Sequence, residues 1–287
     1  MFNPYTYGYY NIILDYSAED ISFSGQSLTT LPDITSYTNL KTVNCSFNYL
    51  TQLEKLPPNI KILECNLNSL THCDNLPATL EILICKQNNI IQLDNLPHGL
   101  KTLDCFHNNL TQLDNLPPSL ERLYCDHNTI SQLDNLPASL TYLNCNSNNI
   151  TQIDNLPQSL EILYCRKNNI TNLDNLPFNL RELDCSECNI TTLDNLPFHL
   201  ISLNCSNNKI TQLNNLPYNL EILICNNNRI SYLDNLPYNL IILECPYNQI
   251  TELNKLPPML NELNCENNNI SQENIMHLSE TIEIFKY

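Results

Sequence analysis

Cysteines follow one another at intervals of twenty residues, from Cys45 to Cys265. The twelve cysteines of this series lie in variants of the frame Leu-x-x-Leu-x-Cys-x-x-Asn-x-Leu/Ile. A fixed period of this length predicts a solenoid, in which each repeat contacts only its neighbours. Most residues of the frame are therefore needed for stacking, and function must be sought at the positions that vary.

The middle of each repeat predicts a short β-strand. In the repeat that begins at Leu120, two-residue alternation directs Leu123 and Cys125 inward. The same alternation directs Arg122 and Tyr124 outward. Each repeat continues as Asp-Asn-Leu-Pro or a close variant, and proline disfavours a helix there, so the return segment is predicted to be extended or a short turn.

An asparagine column marks the end of the predicted strand. Because a buried amide is costly unless it is bonded, we expect these side chains to bond turn backbone groups of their own and the adjacent repeat. Their role is predicted to be structural. The column comprises Asn48, Asn68, Asn88, Asn108, Asn128, Asn148, Asn168, Asn208, Asn228, Asn248 and Asn268.

The frame resembles the leucine-rich-repeat motif, with cysteine at the third apolar site. Its twenty-residue period with Leu-Pro resembles the short-repeat class of injected bacterial effectors and giant-virus repeat proteins. The resemblance implies an α/β-type repeat solenoid dominated by short parallel β-strands, a horseshoe with an extended or short-turn convex side and few helices. We expect an N-terminal cap over 1–20, a solenoid of about 12–13 repeats over 21–273, and a C-terminal cap over 274–287.

The cysteine content bears on the compartment. Equivalent residues of parallel strands lie about 4.8 Å apart and point the same way, which does not suit a relaxed disulfide. We interpret the column as small buried hydrophobes, and free thiols predict a cytoplasmic protein, in its own cell or an infected host. The sequence has no apolar run near the length of a membrane span and no leader at Met1, so we expect one soluble domain.

The formal net charge of −17 disfavours nucleic acid and anionic membrane as main partners. Part of this charge comes from an aspartate column before Asn-Leu-Pro. These carboxylates are expected to accept backbone N–H bonds and start the turn, with calcium binding left as an alternative. The column comprises Asp74, Asp94, Asp114, Asp134, Asp154, Asp174, Asp194 and Asp234.

Two further patterns could carry chemistry. His107 and His127 share a column near Asp104 and Asp126, and could hold a metal. The pair Cys185 and Cys188 has C-x-x-C spacing, but we interpret Cys188 as a replacement for the column asparagine. Without a phosphate loop or a nucleophile beside a base, we expect no enzymatic activity, cofactor or metal.

Variable outward positions predict the binding surface. Apolar patches are expected at Ile62, Ile82 and Ile84 and at Ile222, Ile224 and Ile242, and an acidic stretch at Glu182, Asp184 and Glu187. Between the first patch and the acidic stretch lies an aromatic and basic group, whose residue types are enriched in interface hot spots. The predicted partner-binding residues are Phe106, Arg122, Tyr124, Tyr142, Tyr164, Arg166 and Lys167.

These observations favour a non-catalytic module that binds a protein partner on its concave face. The alternative is an adaptor that delivers a client to a ubiquitin ligase or kinase complex and therefore needs two separable interfaces. A metal-binding or enzymatic protein is the least favoured reading. We expect a monomer rather than a dimer, with pairing through an exposed terminal strand as the alternative.

Overall fold

The computed structural model describes residues 19–253, 255–275 and 282–287. Its described strands form one parallel sheet in sequence order, with each strand hydrogen-bonded to the next. The strands are β1 (Asp20–Ser22), β2 (Thr42–Asn44), β3 (Ile62–Glu64), β4 (Ile82–Ile84), β5 (Thr102–Asp104), β6 (Arg122–Tyr124), β7 (Tyr142–Asn144), β8 (Ile162–Tyr164), β9 (Glu182–Asp184), β10 (Ser202–Asn204), β11 (Ile222–Ile224), β12 (Ile242–Glu244), β13 (Glu262–Asn264) and β14 (Ile284–Lys286). The predicted solenoid of short parallel strands is confirmed.

Strand register follows the sequence period. Leu123 of β6 pairs with Leu143 of β7, twenty residues later, and the same offset holds from β2 to β13. At the two ends the offset is 22 residues, with Ile21 beside Val43 and Leu263 beside Phe285. The terminal repeats therefore differ from the rest in length while they keep the same strand direction.

The core is a stack of similar layers. In the layer of β6, Leu120, Leu123, Cys125, Ile130 and Leu133 are all buried. Each has equivalents twenty residues away in the neighbouring layers, so one continuous apolar core runs along the solenoid. At about 25 cal/mol per Å² of apolar surface removed from water, this stacking is the main stabilising contribution.

The asparagine column makes the bonds that were predicted. Asn88 Nδ2 donates to the carbonyl oxygens of Cys85, in its own repeat, and of Cys65, in the preceding repeat. Its Oδ1 accepts the backbone N–H of Leu70, at 3.0 Å. At the one substituted position, Cys188 Sγ reaches the Cys165 carbonyl at 3.5 Å. The replacement keeps contacts with backbone groups of the preceding repeat and makes fewer hydrogen bonds than the amide.

The turns use left-handed backbone with little glycine. Residues immediately before the asparagine column have positive φ, including His107 at 53° and Lys167 at 56°. A second such position follows the aspartate column, as at Asn95 with φ 57°. Left-handed geometry costs a non-glycine residue about 1–2 kcal/mol, less for asparagine. Regular stacking of the layers maintains these turns.

The aspartate column does not make the expected backbone bonds within the described residues. Asp94 instead accepts from the Gln92 side chain at 2.6 Å, and Asp174 accepts from the Asn195 side chain at 3.3 Å. Left-handed asparagines such as Asn95 and Asn195 form the turn directly. The prediction that these carboxylates start the turn is therefore wrong, because a following asparagine already supplies the required φ.

All fourteen cysteines are free and buried, which for the twelve of the column is what the in-register geometry predicted. The column thiols point to the next repeat, and Cys105 Sγ donates to the Tyr124 carbonyl at 3.3 Å. Among the described residues, no helix is long and apolar enough to cross a membrane.

The C-terminal region contains the helix α1 (Gln272–Ile275) and the strand β14. Ile275 and Ile282 are buried against the last layers, and β14 covers the free edge of β13. At the other end, β1 pairs with β2. Residues 1–18, most of the predicted N-terminal cap, lie outside the described residues.

Candidate functional site

The concave face carries the first and third side chains of each strand, which point away from the core. Three tyrosines on β6, β7 and β8 pack together there. The ring centroids of Tyr124 and Tyr142 lie 4.7 Å apart, and those of Tyr142 and Tyr164 lie 5.7 Å apart at an interplanar angle of 89°. We call these three residues the tyrosine centre. Tyr142 is 6% exposed, so it orders its two neighbours rather than offering area itself.

Carboxylates from the following repeat hold the side chains at one end of the centre. Tyr164 Oη donates to Glu182 Oε1 at 2.6 Å. Arg166 forms an ion pair with Glu187, and both side chains are about one-third exposed. The acidic stretch therefore contacts the predicted basic and aromatic group directly. These contacts fix the orientation of rings and guanidinium before any partner arrives.

On the other side of the centre lies a partly buried charged cluster. Lys86 Nζ is 2.8 Å from Asp104 Oδ2, whose pKa is raised by burial, an effect that the Lys86 charge opposes. Burial and the Asp104 charge raise the pKa of Asp126 to about 7. Burial also raises the pKa of Glu64, again against the charge of Lys86. The charge of Lys86 thus opposes the effect of burial on the pKa of three carboxylates, those of Glu64, Asp104 and Asp126.

Two of the predicted site residues are exposed cations. Arg122 projects from the first position of β6, and Lys167 lies in the left-handed turn after β8. Lys167 and Arg166, after the effect of burial, help to lower the pKa of His127. All seven predicted residues thus lie on or beside β5 to β8. They form one contiguous region together with the carboxylates.

The predicted histidine pair is packed rather than arranged for a metal. The His107 and His127 rings stack with centroids 6.3 Å apart, and Phe106 meets His127 edge-on at 5.1 Å. Asp126 Oδ2 lies 3.4 Å from His127 Nδ1. Throughout the described part of the chain, no three His, Cys, Asp or Glu side chains converge as metal ligands. The histidines belong to the aromatic surface beside the tyrosine centre.

The predicted apolar patches differ in their burial. Ile84 is buried, while Ile62 and Ile82 are partly exposed beside it. In the second patch, Ile222, Ile224 and Ile242 are all partly exposed. Close packing of neighbouring rungs limits the area that either patch offers.

A second aromatic surface lies outside the strands and was missed by the sequence prediction. One aromatic residue follows Leu-Pro in each of four successive repeats. We call these residues, which are 52% to 58% exposed, the aromatic strip. His199 packs edge-on between two of them, with ring centroids 4.7 Å from Phe178 and 5.5 Å from Phe198. The strip consists of Phe178, Phe198, Tyr218 and Tyr238.

A signal for the strip is present in the sequence. The same position holds Ala78, His98, Pro118, Ala138 and Gln158 in earlier repeats, so the fold does not need phenylalanine or tyrosine there. Attention to outward strand positions alone overlooks this change, because the strip precedes the strands.

The sequence matches no protein-family model and no curated protein. Solved structures do resemble it. YopM from Yersinia enterocolitica WA-314 is 30% identical with a TM-score of 0.66, over 84% of this chain and 67% of that one. YopM from Yersinia pestis, a leucine-rich effector protein, is 29% identical with a TM-score of 0.70, over 94% and 88%.

The functional domain of InlJ from Listeria monocytogenes, which includes a cysteine ladder, is 29% identical with a TM-score of 0.69. The alignment covers 88% of this chain and 63% of that one. These similarities agree with the twenty-residue period and the stacked parallel strands. The chain belongs to the leucine-rich-repeat family.

Proposed function

We propose that the protein is a non-catalytic interaction module whose concave face binds a protein partner. The tyrosine centre carries the proposal. It combines three packed rings with polar groups already held by Glu182 and Glu187. Leucine-rich-repeat folds are typical protein-interaction modules, and their curvature creates an extended binding surface.

The residues around the centre have complementary roles in this proposal. Tyr142 supports Tyr124 and Tyr164, which are partly exposed and combine apolar area with a hydroxyl group. The exposed cations Arg122 and Lys167 would contact acidic or polar groups of the partner. Phe106 and Arg166 extend the surface on either side. Preorganised aromatic and arginine side chains lower the entropic cost of binding.

The free cysteines extend the proposal to a location. Fourteen buried thiols favour a reducing compartment, so we place the protein in the cytoplasm, of its own cell or of an infected host.

Charge reversal at the two exposed cations tests the binding face without disturbing the packed tyrosines. The Arg122→Glu and Lys167→Glu double variant should lose at least about tenfold in the recovery of a protein captured from a cell extract by the wild type. A matched Lys209→Glu and Arg229→Glu variant changes the charge equally at exposed positions outside the centre. Equal capture by all three proteins would contradict the proposed face, once circular dichroism shows that each is folded.

A further inference from the structure

In contrast to the monomer expected from the sequence, we infer that the aromatic strip is a self-association surface, through which two copies of this chain pair antiparallel. Four exposed aromatic residues occupy one position in four successive repeats. Other repeats use alanine, proline, glutamine or, at His98, histidine there, so stacking of the layers does not require phenylalanine or tyrosine. A row of exposed rings is a candidate interaction site, because the largest apolar patch on a protein surface is often functional.

The area of the strip fits a small symmetric interface. An aromatic side chain buries about 150–250 Å² when fully covered, and each ring of the strip is a little more than half exposed. Four rings therefore offer on the order of 450 Å² per copy. The adjacent Ile241 and Met259, 39% and 54% exposed, add to this area. Two copies together approach the roughly 1,200 Å² at the lower end of stable interfaces.

One pair of opposite charges beside the strip is complementary to a second copy, and this pair must offset the exposed Asp174, Asp194 and Asp234 that precede the strip. A net charge of −17 makes two copies repel, except where their contact surfaces are neutral or complementary. The strip itself consists of phenylalanine and tyrosine. The adjoining column contains Arg181, Ile201, Glu221 and Ile241, with a cation toward one end and an anion two repeats later.

A two-fold axis between Phe198 and Tyr218 makes the strip self-complementary. Phe178 of one copy then meets Tyr238 of the other, and Phe198 meets Tyr218. Arg181 comes opposite Ile241 of the second copy, one repeat or about 5 Å from its Glu221. Antiparallel pairing therefore brings each cation near an anion, which a parallel arrangement does not.

This pairing leaves the tyrosine centre uncovered. The strip residues precede their strands by four positions and lie at one rim, whereas the centre lies on β6 to β8. Dimerisation is therefore independent of partner binding on the concave face. Capture from a cell extract tests partner binding on the concave face, whereas the mass in solution tests dimerisation through the strip.

The mass of the full chain in solution tests the inference. Sedimentation and light scattering at about 1–100 µM, where a micromolar interface is populated, should give twice the chain mass of 33.0 kDa for the wild type. The variant Phe178→Ala, Phe198→Gln, Tyr218→Ala and Tyr238→Ala uses residues found at this position in other repeats. It should give the mass of a single chain.

A control variant removes four equally exposed aromatic residues elsewhere, by alanine substitution of Phe47, Tyr49, Tyr232 and Tyr247. It should remain dimeric. A monomeric wild type across this range would overturn the inference, and so would a strip variant that still dimerises. The measurement needs no unknown ligand.

Charge exchange tests the orientation. Arg181→Glu and Glu221→Arg should each weaken the dimer about tenfold, and the double variant should recover wild-type affinity because the pair is re-formed with its signs exchanged. Absence of recovery in the double variant would overturn the antiparallel arrangement.

Discussion

The tyrosine centre and the aromatic strip both place aromatic rings on successive repeats, yet their exposure differs greatly. Tyr142 is 6% exposed between its two neighbours, while Tyr218 of the strip is 56% exposed. On the concave sheet, outward side chains of adjacent strands lie about 5 Å apart and pack against one another. At the rim, no strand alignment directs the rings of neighbouring repeats together.

This difference separates two kinds of aromatic surface. Rings of the centre are fixed by one another and by hydrogen bonds such as that from Tyr164 to Glu182, so a partner would find a defined shape. Rings of the strip offer area with fewer orienting contacts, which suits a flat apolar interface. Composition alone does not distinguish the two, because position in the repeat decides the packing.

Among the variants that compare the two surfaces, Tyr142→Ala should lower the stability of the protein most. The free energy of unfolding should fall by about 2–3 kcal/mol, below the loss for a core aromatic because water can enter from the open face. Equilibrium urea unfolding, followed by circular dichroism, measures the change.

The matched change at the rim is Tyr218→Ala. Since more than half of that ring is already in water, the loss should stay below about 1 kcal/mol. Equal losses for the two variants would show that the rim ring is also a packing residue, and the contrast between the two surfaces would fail.

Much of the fold could be predicted because the same residue pattern recurs in successive repeats from Cys45 to Cys265. Inward leucines, the free cysteine column and the asparagine ladder all follow from a period of twenty and strand alternation. The aspartate column shows the limit of this reasoning. A carboxylate and a left-handed asparagine both suit a turn, and only the backbone of Asn95 and its equivalents shows which one forms it.

The surface could be predicted less well. Outward strand positions identified the residues that meet at the centre, but not how they pair. Arg166 meets Glu187 from the next repeat, which requires the turn after the strand to place Glu187 at φ 52°. The burial of Tyr142 likewise depends on the rotamers of two neighbours. The strip was missed because it lies outside the strands that the prediction considered.

The pH dependence of stability also distinguishes the two surfaces, because the face beside the centre contains the partly buried Asp126, whereas the strip residues are uncharged. Its pKa is raised from 3.8 to about 7, so its contribution to stability is complete below about pH 4 and is lost as the pH rises through 7. Asp126→Asn should therefore be more stable than the wild type at pH 8, by about 1–2 kcal/mol. The two proteins should converge near pH 4.

Because neighbouring groups also titrate, the quantity to measure is the difference in free energy of unfolding between Asp126→Asn and the wild type at each pH. The charge of Asp104 raises the pKa of Asp126, and the charge of Lys86 lowers it. The pKa of His127 is lowered, so its contribution to the stability of the fold is lost as the pH falls. All of these groups are present in both proteins. Equal stability of Asp126→Asn and the wild type at pH 8 would contradict the role of burial at Asp126.

Cys188 interrupts the asparagine column in the repeat of β9, after Phe178, the first residue of the strip. Asn168, one repeat earlier, donates to three backbone carbonyls and accepts the Ile150 N–H, whereas Cys188 donates to the Cys165 carbonyl at 3.5 Å. Cys188→Asn should restore the ladder and raise the free energy of unfolding by about 1 kcal/mol. Asn168→Cys is the reverse control and should lower it by a similar amount.

Because repeats are coupled only to their neighbours, a weaker step at Cys188 should let the repeats that hold Phe198, Tyr218 and Tyr238 open without the centre. Hydrogen exchange should show faster exchange on the C-terminal side of Cys188 in the wild type, and this asymmetry should disappear in Cys188→Asn. An unchanged exchange pattern would show that the centre and the strip already behave as one cooperative unit.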